Sequence, residues 1–92
     1  MRLDLFLKVS RLIPRRSVAQ EFCDAGLISV NGVAAKASKE IKAGDGITIN
    51  RRNRVTCISV QSVPDKKQVA KNEAESLVKI LSEELKPNDP LA

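Results

Sequence analysis

The sequence predicts a small α+β domain in which two short helices pack on a small, strongly twisted antiparallel sheet, followed by a C-terminal helix. Three observations carry this. Apolar residues recur at helical spacing on both sides of Pro14; Asn31-Gly32 sits between two short alternating runs; and a further pair of alternating runs flanks the polar link Arg51-Arg52-Asn53-Arg54. Past Pro64 the composition changes. The expected division is therefore a domain over 1–62, a linker over 63–68, an amphipathic helix over 69–86 and a tail over 87–92.

Leu3, Phe6 and Leu7, extended by Val9, give the first helix its apolar face, and Asp4 and Lys8 stand four apart as a surface pair worth a few tenths of a kcal/mol. Lys8 and Arg11 would share a face if that helix ran far enough. Pro14 places a break ahead of it, because Ile13 is disfavoured in the α region. A second helix is expected over Arg15 to Ala25, with Val18, Phe22 and Ala25 as its stripe and Ala19 and Cys23 beside them. Pro14 suits a first turn, and Gly26 can take the left-handed conformation that ends a helix.

Leu27 to Val30 alternates, and Asn31-Gly32 favours a type I′ turn into a short partner strand over Val33 to Ala35. Lys36, Ser38 and Lys39 follow in a loop, and Gly44-Asp45-Gly46 is a turn by composition. Ile47 and Ile49, then Val55, Cys57 or Ile58, and Val60 read as two more strands joined at Arg51–Arg54. Beyond the polar residues Asp65, Lys66, Lys67 and Gln68, an apolar stripe of Ala70, Ala74, Leu77, Leu81 and Leu85, widened by Ile80, reads as a helix, with Glu75 and Lys79 as an i, i+4 pair. That stripe packs either against the domain or against a partner.

The net charge of +5 is unevenly placed. Residues 1–62 hold eleven of the Lys and Arg against five acids, whereas the remainder is slightly acidic, so the basic character belongs to the front domain and points to a polyanion. The absences narrow the chemistry. With no histidine, the commonest general base and metal ligand is missing, and Cys23 and Cys57 lack the spacing of a zinc site. Both read as small buried hydrophobes suited to a reducing compartment, and no metal, cofactor or catalytic residue is expected. Neither a signal segment nor a run of 18 apolar residues is present, so a cytoplasmic protein with no membrane association is expected.

Arg15 and Arg16 at a helix start are poor neighbours for its positive dipole end. Either a phosphate converges there with the free backbone N–H groups, or the two side chains are simply solvated. Phe6 and Phe22 are the only aromatic residues, and both occupy core positions. Base stacking on exposed rings is thus disfavoured, and a nucleic-acid partner would be met by cations on its phosphates. About five such contacts give a slope of log affinity against log salt of roughly −3.5 to −4.5.

The order of motifs resembles a known family. Arg2-Leu3-Asp4, the run from Phe6 to Leu12, Arg15 to Ala19, Gly26 to Gly32, Lys36 to Ser38, and Gly44-Asp45 are similar to the S4 (αL) RNA-binding domain over about the first fifty residues. Among free-standing members the chain looks most like the small bacterial S4 proteins of ribosome-associated quality control, which are related to the ribosome-associated heat-shock S4 protein. The resemblance implies a non-catalytic factor that binds rRNA, and peptidyl-tRNA, on stalled large ribosomal subunits and assists C-terminal tailing of nascent chains. It implies also a monomer working beside a quality-control protein factor. Carried over by position, it selects Arg2, Lys8, Arg11, Arg15, Arg16, Ser17, Lys36 and Ser38 for RNA binding. One departure is Pro14-Arg15-Arg16, where many members have a serine or threonine before the arginine that opens the second helix. Outside the matched region, Arg51, Arg52 and Arg54 either extend the contact or form a solvated turn.

Two alternatives compete with that reading: a heat-shock-type recycling factor for obstructed large subunits, and a protein-interaction module acting through the C-terminal helix. An RNA-modifying enzyme is disfavoured, because Asp4, Asp24 and Asp45 each have a structural reading as helix pair, helix end and turn residue.

Overall fold

The computed structural model describes residues 1–65 and 69–85. Its elements are α1 (Leu3–Val9), α2 (Arg16–Asp24), β1 (Ile28–Val30), β2 (Val33–Ala34), β3 (Gly46–Asn50), β4 (Arg54–Val60), α3 (Lys71–Ser76) and β5 (Val78–Leu85). The strands form one antiparallel sheet in the order β2-β1-β3-β4-β5. Leu3, Phe6 and Leu7 of α1 and Ala19 and Cys23 of α2 are buried in one core with Ile28, Val30, Ile47, Ile49, Ile58 and Val60 of the sheet. The expected two helices on a small antiparallel sheet are thus present.

The alternation in the strands decides which side chains enter that core. Ile47 pairs with Ile58 and Val30 with Ile47 on the helix side, while Thr48 and Cys57 face each other on the other, Oγ1 to Sγ at 3.8 Å. Of Cys57 and Ile58, it is therefore Ile58 that joins Val60 in the core from β4. The Asn31-Gly32 turn has φ of 53° and 85°, both positive as a type I′ turn requires. Asn31 is also pinned from below: the Gly46 N–H donates to its Oδ1 at 2.9 Å, and its amide donates to Asp45 at 3.2 Å.

None of the N-cap residues of α1, α2 and α3 makes a side-chain cap bond, and the C-terminal ends close on backbone bonds, with the Ser10 hydroxyl also donating to the Leu7 carbonyl at the end of α1. At the close of α2, the Gly26 N–H donates to Cys23 and the Leu27 N–H to Phe22, with Gly26 at φ 75°, the double bond pattern of a Schellman ending. Helix α1 stops earlier than Pro14 alone predicts. Ser10 is its C-cap and Arg11 turns to φ 62°, a left-handed conformation that glycine or asparagine usually supplies. Lys8 and Arg11 therefore do not share a helical face.

The C-terminal region departs from expectation. In place of one helix over 69–86, a short helix α3 buries Ala74, and the chain then turns at the buried Leu77 and extends as β5 along β4. The pairing runs from Val60 with Val78 to Arg54 with Leu85, broken by a register shift at Cys57/Ile58. The physical reason lies in β4. Its seven residues would otherwise leave a row of backbone donors and acceptors at a sheet edge, and an eight-residue strand satisfies them where a helix could not. The supposed helical stripe is not buried as a unit: Leu81 is 60% and Leu85 78% exposed. Glu75 and Lys79 fall in different elements and form no helical pair. The linker residues Lys66 to Gln68 and the tail 87–92 lie outside the described residues.

Candidate nucleic-acid interface

Two arginines of the front domain, Arg2 and Arg16, are organised around one carboxylate that the sequence pattern places on the surface. Asp4 is instead fully buried and makes no pair with Lys8. Its Oδ2 accepts from Arg16 Nε at 3.0 Å and Gln20 Nε2 at 2.9 Å; its Oδ1 accepts the Leu5 N–H at 2.8 Å and lies 3.3 Å from Arg2 Nε. Burial alone would raise the Asp4 pKa. The hydrogen bonds from Gln20, Arg16 and Leu5 outweigh it, so the carboxyl is held below the ordinary aspartate range and stays ionised. One anion from α1 thus fixes a guanidinium from α2 and another from the residue that opens α1. The side chains of Arg2 and Arg16 remain 48% and 39% exposed, so each presents its remaining donors to solvent.

The loop after β2 closes on the same place. The Asp4 N–H donates to the Ala37 carbonyl at 3.1 Å and the Leu3 N–H to the Lys39 carbonyl at 2.7 Å, while the Ile41 N–H returns to Met1. These bonds satisfy the first donors of α1, so its N-terminus is not open to an anion. They also hold Lys36 and Ser38, both exposed, beside the start of α1. Arg2, Arg16, Lys36 and Ser38 are thereby brought together by backbone bonds and the Asp4 carboxylate. Arg15, the N-cap of α2, and Ser17 are exposed at an N-terminus with no side-chain cap. Lys8 is half-buried on α1. Arg11 stands exposed at the far end of that helix, where its Nη2 donates to the Val69 carbonyl at a long 3.5 Å.

The second basic segment is built differently. Arg51 donates from Nη2 to the Leu12 carbonyl at 2.7 Å and from Nη1 to Thr56 Oγ1 at 3.4 Å, tying the α1–α2 connection to the β3–β4 hairpin. Burial, with Arg54 nearby, lowers the pKa of this guanidinium. Arg54 is paired with Glu83 of β5 at 3.0 Å. Arg52 is exposed at the turn. Two of these three arginines therefore serve internal contacts that the sequence could not reveal, because their partners Leu12 and Glu83 lie far along the chain.

Among the described residues no group of three or more His, Cys, Asp and Glu could hold a metal ion, and no helix is long and apolar enough to cross a membrane. Cys23 is a buried thiol whose pKa is raised by desolvation and by Asp4 and Asp24, consistent with its reading as a small core hydrophobe. Asp45 is likewise buried and structural. The Lys42 N–H and the Asn31 amide hold its pKa below the ordinary range against the opposing effect of burial.

The model of the S4 domain matches residues 1–47, which span α1, α2, the β1–β2 hairpin and the loop closing on α1. The chain is 46% identical over 84 residues to the RQC P-site tRNA stabilizing factor of Bacillus subtilis, covering 91% of this chain and 95% of that one. To the protein of the same name from Helicobacter pylori strain 26695 it is 37% identical, over 79% of this chain and 87% of the relative. Two solved structures share the fold. Heat Shock Protein 15 of Vibrio cholerae, described as trimeric, superposes with a TM-score of 0.77 at 28% identity, covering 87% of this chain and 80% of that one. The solution structure of the hypothetical protein HP1423 gives 0.78 at 33% identity, covering 91% and 100%. With the matching model spanning α1, α2 and the β1–β2 hairpin, and relatives matching along nearly their whole length, the chain belongs to the S4 domain family.

Proposed function

We propose that this protein is a non-catalytic RNA-binding factor of ribosome-associated quality control, acting in the cytoplasm on large ribosomal subunits that still carry peptidyl-tRNA. It binds rRNA and steadies the P-site tRNA while C-terminal residues are added to the stalled chain. The observation that carries this reading is the pair of half-exposed guanidinium groups, Arg2 and Arg16, fixed on the buried Asp4 beside the Lys36–Lys39 loop. A preorganised fork of this kind meets phosphate oxygens with little loss of side-chain freedom. The name shared by the Bacillus and Helicobacter relatives supports the tRNA part of the reading. Arg11, Arg15, Ser17, Lys8, Lys36 and Ser38 complete the contact surface, and Arg52 extends it.

The test is co-sedimentation with large subunits in cell extracts. Replacing Arg11 and Arg16 together by Ala is expected to abolish it while the far-ultraviolet dichroism of the folded chain is retained. Unchanged sedimentation would remove these residues from the site.

A second reading, a heat-shock-type factor that recycles obstructed subunits, is favoured by the likeness to Heat Shock Protein 15. Deleting the gene separates the two. Loss of tails from stalled chains supports the first; normal tails with accumulating obstructed subunits support the second.

A further inference from the structure

Beside the β1–β2 hairpin lies a groove of about 510 Å³, lined chiefly by Val33, Ala34, Ala35, Lys36, Ser38 and Lys39. Its apolar wall comes from β2, which has two residues and forms an edge of the sheet. Val33 there is 69% exposed, a β-branched side chain left in water although the chain buries nearly every other residue of its kind in the front domain. Its rim is cationic and hydroxylic, since Lys36, Ser38 and Lys39 are all exposed.

Those two properties side by side define the chemistry that fits. A small-molecule-sized concavity of roughly 300–1,000 Å³ with an apolar wall and a few polar groups at its margin is the usual form of a ligand site. A nucleotide has the matching halves: a planar base with two apolar faces, and a phosphate within one sugar's reach of it. The position agrees. The loop that forms the rim is the one whose Ala37 and Lys39 carbonyls cap α1 at Asp4 and Leu3, so the groove adjoins the Arg2 and Arg16 pair.

We propose that this groove takes a single unstacked nucleotide of the bound RNA, with the base against Val33 and Ala35 and the adjoining phosphate between Lys36 and Lys39. The inference rests on the RNA-binding reading above and adds to it a local preference. The arginine face reads backbone phosphates and is indifferent to pairing, whereas the groove admits only a nucleotide that has left its helix. Exposed aromatic rings are not required, because an aliphatic wall desolvates a base face without stacking on it.

Two short RNA hairpins test this, identical except that one carries a single bulged 2-aminopurine whose fluorescence reports its surroundings. The intact protein is expected to bind the bulged hairpin about tenfold more tightly, on the scale of removing roughly 50 Å² of apolar base surface from water, with a change in the fluorescence of the bulged base. Val33→Ser, at an exposed edge position that leaves the core untouched, should remove that preference and keep the affinity for the paired hairpin. Arg16→Ala should weaken both hairpins alike. Equal affinity of the intact protein for the two hairpins, or a preference that survives Val33→Ser, overturns the groove assignment and leaves the RNA-binding reading standing. Failure to bind either hairpin overturns both.

Discussion

The two arginine-rich segments of this chain look alike in sequence and are used in opposite ways. Around α1 and α2, Arg2 and Arg16 share one buried carboxylate and keep a large part of each guanidinium in water. In the β3–β4 hairpin, Arg51 is clasped by the Leu12 carbonyl and Thr56, and Arg54 by Glu83. The first arrangement aims cations outward from a rigid anchor; the second uses them to fasten loops and strands together. Local charge density therefore does not identify a phosphate-reading surface. The proposed phosphate contact belongs where donors remain free after the internal contacts are made.

Substitution of the anchor should affect the comparison most. Asp4→Ala removes the buried acceptor shared by Arg2, Leu5, Arg16 and Gln20. The expected loss is about 2–3 kcal/mol, below that of a fully buried ion pair because both arginines are partly solvated. Urea denaturation measures it, and RNA affinity should fall in the same variant as Arg2 and Arg16 lose their orientation.

Next in size, Arg51→Ala should cost about 1–2 kcal/mol of stability by freeing the Leu12 carbonyl, with little change in RNA binding. A variant that binds RNA poorly while denaturing normally would move Arg51 to the interface side of the comparison. A smaller effect is expected at Arg11. Its left-handed backbone costs an L-residue roughly 1 kcal/mol, so Arg11→Gly should raise stability by up to about that amount while weakening binding. Calorimetry and subunit co-sedimentation on one preparation would show the opposite signs.

Acid titration offers a further check. Asp4 and Asp45 are held below their unfolded values, near 3.9 for aspartate. The folded state then binds fewer protons than the unfolded state as pH falls through that region. Their stabilisation is complete above about pH 5 and is lost progressively as pH falls through the folded-state values. Asp4→Asn should flatten the acid limb of the stability curve; an unchanged limb would show that Asp4 is not held in its ionised form by these partners.

Much of the fold was legible in the sequence because its signals are local. The helical spacing of Leu3, Phe6 and Leu7, the Asn31-Gly32 turn, and Gly26 at the close of α2 all act within a few residues. The C-terminal strand was not legible. Leu77, Ile80, Leu81 and Leu85 fit a helical stripe as well as an irregular strand, and the deciding factor, the open edge of β4, is set by tertiary structure. The site was half legible for a similar reason. The cations stand out by type and order, but Asp4 with its neighbour Lys8 looks like a surface pair, and its true partners Arg16 and Gln20 come from another helix. The clasp of Arg51 on Leu12, 39 positions away, leaves no mark in the sequence at all.

The salt dependence of binding to large ribosomal subunits tests the central contrast most directly, measured for the native protein, Arg16→Ala and Arg51→Ala. Each phosphate contact contributes about −0.7 to −0.9 to the slope of log affinity against log salt. Arg16→Ala should make the slope shallower by close to one such contact, and Arg51→Ala should leave it unchanged. The opposite pattern, a shallower slope for Arg51→Ala and an unchanged one for Arg16→Ala, would contradict the account.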